Sequence, residues 1–85
     1  MTFEQFQATR KWVDDVGPAT GLDLGPDVQP GFVYDSDLHI FAMGGGAAPD
    51  QYLLVIFNDQ TVSDDLTALE RKLYEFASDE EMFKP

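Results

Sequence analysis

The sequence predicts a small α+β domain, an antiparallel meander of three or four strands set between two amphipathic helices. Both helices are expected on one sheet face, as a two-layer sandwich. Three observations predict it. Tyr52-Leu53-Leu54-Val55-Ile56-Phe57 is a run of six apolar residues rich in β-formers. Apolar residues recur at helical spacing near both ends of the chain. Short connections between the strand-like runs favour antiparallel pairing, and a sheet with amphipathic helices makes a layered α+β fold.

The first helix is expected to start at Thr2. Gln5 three residues on completes a capping box. Phe3, Phe6, Val13 and Val16 then form a stripe with Thr9 filling the middle turn. Gly17-Pro18 reads as the stop, since Gly suits the end of a helix and Pro cannot continue it. This placement carries a conflict. Asp14 and Asp15 would lie in the last turn, where the helix dipole disfavours negative charge. Residues 18–31, with three Pro and three Gly, read as a long loop pinned by Leu22, Leu24 and Val28.

Phe32-Val33-Tyr34 is a short predicted strand and Asp35-Ser36-Asp37 a tight turn. Leu38-His39-Ile40-Phe41-Ala42-Met43 is the next strand, and Gly44-Gly45-Gly46-Ala47-Ala48-Pro49-Asp50 a flexible connection. The run from Tyr52 to Phe57 is apolar on both faces and is expected at the centre of the sheet. Asn58-Asp59-Gln60 turns, and Thr61-Val62 adds a short edge strand. Ser63 is expected to cap the last helix, with Asp64 and Asp65 in its first turn. Leu66, Leu69, Leu73, Phe76 and Ala77 form its stripe, with Glu70, Arg71, Lys72 and Glu75 facing water. Residues 79–85 read as a fraying acidic tail. The whole chain, 1–85, reads as one domain.

Pairing Ala42 with Tyr52 sorts the side chains into two faces. Leu38, Ile40, Ala42, Tyr52, Leu54 and Ile56 make an aliphatic face that should meet the helices. Asp37, His39, Phe41, Met43, Leu53, Val55 and Phe57 make a mixed face without evident cover. An exposed apolar patch usually marks an interface. The expected contact surface is therefore Phe41, Met43, Leu53, Val55 and Phe57, together with Trp12, a residue type enriched at binding hot spots. Two plainer readings stand beside it. The 18–31 loop or the tail covers the mixed face, and Trp12 closes the edge of the core.

Sixteen acidic residues against five basic ones give a net charge of −11. That field repels phosphate backbones and anionic membranes and favours basic partners. With no cysteine, disulfides, thiolate nucleophiles and Cys-ligated zinc are excluded. The N-terminus has no signal-peptide pattern, and no run is apolar enough for a membrane span, so the expected setting is the cytoplasm. Gly44-Gly45-Gly46 lacks the Lys and Ser/Thr of a phosphate loop and precedes a strand. Asp35-Ser36-Asp37 lacks the remaining ligands of an EF-hand.

The function expected from these residues is non-catalytic protein binding, to a protein partner or to a second copy, with no cofactor and no direct nucleic-acid contact. One alternative is an acidic decoy that imitates a nucleic-acid backbone and blocks a basic partner. Another is a weak divalent-metal binder or minimal enzyme built on Asp37 and His39, which share a strand face.

Overall fold

A computed structural model describes residues 1–21, 25, 28–35, 38–43 and 50–80. The order is α1 (Phe3–Ala8), β1 (Lys11–Val13), α2 (Val16–Thr20), β2 (Gly31–Val33), β3 (His39–Met43), β4 (Gln51–Ile56), β5 (Asp59–Ser63) and α3 (Leu66–Asp79). The fold is mixed α+β. Its single sheet has five strands in the order β1-β2-β3-β4-β5, all antiparallel, rather than three or four.

The extra strand comes from the predicted first helix. Its capping box forms: Thr2 accepts from the Gln5 N–H, and Gln5 accepts from the Thr2 N–H. The helix then stops after two turns, because Thr9 turns inward on the backbone. Its hydroxyl donates to the Phe6 carbonyl at 2.7 Å and accepts from the Asp35 N–H at 3.1 Å. A Thr that bonds backward competes with the helical ladder. Lys11, Trp12 and Val13 then pair with Val33, Phe32 and Gly31. Ladder bonds to β2 and the β-preference of Trp and Val override the helical spacing.

The Asp14–Asp15 conflict disappears with that helix. Asp15 caps the start of α2, accepting from the Gly17 N–H at 3.2 Å. Pro18 sits in the first turn, where its missing N–H costs nothing. Gly21, at φ 76°, closes α2 in the left-handed conformation. The predicted 18–31 loop thus begins inside a helix and ends in β2. Val28 is exposed rather than pinned, and Leu22 and Leu24 lie outside the described residues.

Ala42 pairs with Tyr52, the register read from the sequence. The six-residue apolar run is not central, however. With β1 and β5 both in the sheet, β3 holds the centre and β4 lies one strand from the edge. The predicted turn at 58–60 is shorter. Ile56 pairs with Asp59, so only Phe57 and Asn58 form the loop. The cap of α3 is Asp65, which accepts from the Ala68 N–H at 3.2 Å. Ser63 accepts from the Asp65 N–H and so steadies the cap instead of being it. Residues 44–49 and 81–85, which include the glycine run and most of the acidic tail, lie outside the described residues.

The core is one cluster. Phe6 of α1 and Leu69, Leu73 and Ala77 of α3 meet Tyr34, Leu38, Ile40 and Leu54. Phe6 stacks on Tyr34 with centroids 4.8 Å apart and planes 7° from parallel. Val16 of α2 is buried apart from this cluster, with its Cγ2 on the side of Gly31 where a Cβ would project. Gly31 pairs with Phe41, so α2 rests on the sheet face opposite to α1 and α3. The expectation of two helices on one face is corrected to α1 and α3 on one face and the short α2 on the other. Among the described residues no helix is long and apolar enough to cross a membrane.

Candidate functional site

Side chains alternate across a strand, so the register assigns every strand residue to a face. On the face away from α1 and α3, one row crosses all five strands: Val13, Gly31, Phe41, Leu53 and Val62. Lys11, Val33 and His39 form the adjoining row on β1 to β3. Val55 and Gln60 pair beside it on β4 and β5, and Met43 and Gln51 pair on the other side. Phe41, Leu53 and Val55 are half-buried, while Met43 and Val62 are exposed. His39 packs edge-on against Phe41 with centroids 4.9 Å apart.

The composition of this face matters more than its exposure. The chain carries sixteen carboxylates. None belongs to the described strand residues that project here; Lys11 and His39 are the ionisable groups present. Asp59, the one acid within a described strand, pairs with Ile56 and projects to the other face, where Lys72 of α3 reaches it at 3.5 Å.

Of the six residues expected at a contact surface, four come together: Phe41, Met43, Leu53 and Val55. Trp12 does not join them. It pairs with Phe32, which pairs with Ile40, so it projects to the core face. There it packs edge-on against Phe32 at 5.2 Å, and its Nε1–H donates to Asp14 at 3.3 Å. Phe57 is separate as well. It sits in the β4–β5 loop with its ring against Phe76 of α3 at 5.5 Å. Asp37 lies outside the described residues. Among the described residues, no group of three or more His, Asp or Glu side chains comes together as a metal site would require.

The most concentrated polar chemistry lies elsewhere, and its centre was expected to face water. Glu70 is 0% exposed. One carboxylate oxygen accepts from the Tyr34 hydroxyl at 2.6 Å and from Arg10 at 3.2 Å, and the other accepts from Gln7 at 3.1 Å. Its position had a legible signal. Leu66, Glu70, Leu73 and Ala77 lie at i, i+4, i+7 and i+11, so Glu70 is on the buried stripe by spacing alone. Among the described residues no buried side-chain polar atom lacks a partner. The cluster ties α3 to the N-terminal segment and to Tyr34.

Burial first, then the hydrogen bond to Glu70 and its negative charge, hold the Tyr34 hydroxyl proton far above the ordinary tyrosine range. The folded chain keeps this proton where the unfolded chain releases it near pH 10. The contribution to stability is complete below about pH 10 and declines as pH rises beyond it. Urea unfolding between about pH 9 and about pH 11 should show an extra loss approaching 1.4 kcal/mol per pH unit at the alkaline end, absent in Tyr34→Phe. Identical pH profiles for the two proteins would show that neither burial nor Glu70 holds the Tyr34 proton.

No protein-family model matches the chain, and no curated protein and no solved structure matches it.

Proposed function

We propose that this chain is a non-catalytic binding protein whose contact surface is the sheet face away from α1 and α3, and that its partner there is a second copy. The observation that carries this reading is the segregation of charge. A chain of net charge −11 repels its own copies over most approaches. Among the described strand residues, the face bearing Phe41, Met43, Leu53, Val55 and Val62 carries no carboxylate, so two copies meeting there oppose less like charge. Because α2 stands over Gly31, the partner covers the β3 to β5 side.

Light scattering coupled to size exclusion tests it. The chain should form a dimer whose affinity rises with salt, since screening removes repulsion between two acidic bodies while apolar contact persists. Leu53→Arg, in the middle of the row, should weaken the dimer at least about tenfold with an unchanged circular dichroism spectrum. A chain that stays monomeric at all salt concentrations would remove this reading. Capture of a basic protein that weakens steeply with salt would favour the decoy instead.

A further inference from the structure

The β4–β5 loop tip holds two unfavourable features side by side. Phe57 has φ 53° and is, among the described residues, the one non-glycine with positive φ. A bulky residue in this region is a true outlier, and such strain marks functional positions more often than chance allows. The residue type that tolerates it, Asn58, stands one place too late. Phe57 is also the most exposed of the large hydrophobic residues described, at 81%. Among the described residues its one ring contact is Phe76, met edge-on.

The second feature is electrostatic. Phe76 lies in the last turn of α3, where the helix dipole is negative and no basic residue stands. Asp79 and Glu80, three and four residues on, share its side of the helix and are exposed. Lys72, one turn earlier, is already engaged by Asp59 and by the Thr61 hydroxyl at 2.9 Å. The exposed Phe57 ring and the half-buried Phe76 ring therefore sit beside carboxylates that no basic residue in the last turn of α3 offsets.

We infer that the Phe57–Phe76 tip is a second interaction site, distinct from the sheet face, and that its occupant is a basic protein segment carrying an apolar side chain. The apolar group covers Phe57. A Lys or Arg beside it meets Asp79, Glu80 and the negative end of α3. The exposed ring and the negative field are both met in that one contact, and a second copy at net charge −11 is repelled from it.

The test uses the full chain, isotope-labelled, titrated by NMR with a synthetic peptide in which Lys and Arg alternate with Leu. Counterparts carry Ser in place of Leu, or Glu in place of the basic residues. The expected shifts are at residues 57–60 and 76–80, with the Leu peptide binding about tenfold tighter than the Ser peptide and the Glu peptide not binding. Phe57→Gly relieves the backbone, so its melting temperature should equal or exceed that of the parent. Its affinity for the Leu peptide should fall to that of the Ser peptide. Equal binding by the parent and Phe57→Gly would overturn the inference. So would shifts centred elsewhere, no binding at all, a Phe57→Gly protein that melts well below the parent, or a change in oligomeric state in place of lost peptide binding.

Discussion

Glu70→Ala should lower the unfolding free energy by about 3 kcal/mol, or the melting temperature by about 15 °C. Three losses add. The Tyr34 hydroxyl, in a residue only 3% exposed, loses its acceptor, and an orphaned buried donor costs about 1–3 kcal/mol. The removed side chain leaves a void beside Tyr34, Gln7 and Arg10, where the structure relaxes only in part. The tie from α3 to Gln7 and Arg10 also goes, so the N-terminal segment loses its polar attachment. Arg10 limits the total. Its side chain is 40% exposed, so it can turn to water instead of remaining as a buried charge. A small domain is stable by about 5–15 kcal/mol, so this one substitution removes a large share.

Two controls separate the contributions. Glu70→Gln keeps an oxygen for Tyr34 and should cost about half as much. Replacing Arg10 and Glu70 together with Met should cost less than Glu70→Ala, because apolar groups of similar length fill the space and no charge stays behind. Chemical unfolding of the set decides it. A Glu70→Ala protein within about 0.5 kcal/mol of the parent would mean the carboxylate is solvated in solution, as its charge alone suggests.

That network shows where the sequence was legible and where it was misread. Residue type reads Glu70 as off the stripe and facing water, although its spacing from Leu66, Leu73 and Ala77 is that of the buried stripe. Type misleads because its partners are remote: Gln7, Arg10 and Tyr34 are 63, 60 and 36 residues away. No local pattern shows that they converge. The β3–β4 register was legible from the aliphatic set Leu38, Ile40, Ala42 and Leu54, all buried, which a one-residue slip would exchange for the mixed face. The first helix was misread because Phe3, Phe6, Val13 and Val16 satisfy a helical period by accident. Phe6 serves the core, Val13 lies in a strand and Val16 opens another helix. Pairing with a strand 20 residues later decides the matter, and periodicity does not report it. The apolar side chains of the second sheet face were legible from alternation, but not that its described strand residues carry no carboxylate. That depends on β1 and β5, which complete the face.

Gly31→Ala should be the most damaging small substitution in the sheet, costing about 3 kcal/mol, at the upper end of what overpacking does. The reason is space, not backbone angle. A Cβ at Gly31 would stand 2.4 Å from the Ile40 carbonyl oxygen, 3.0 Å from Val16 Cγ2 and 3.1 Å from Phe41 Cα. Two of these atoms are backbone of the paired strand and cannot swing aside. Val16 can yield only by lifting α2, which is fixed by its Asp15 cap and by the Val16 N–H bond to the Gln29 carbonyl at 2.8 Å. Either β2 parts from β3 or α2 leaves the face. Gly21→Ala is the contrast: its φ is 76° but nothing lies within 4 Å, so strain alone acts and about 1 kcal/mol is expected. If α2 lifts, Val16 and the β2 end of the row become accessible. Gly31→Ala should then bind an apolar dye more strongly than Gly21→Ala at equal folded fraction, and amide exchange should accelerate over residues 16–20 before it does over β4. Exchange that rises evenly along the chain, or a cost below about 1 kcal/mol, would show that α2 does not depend on the missing side chain at Gly31.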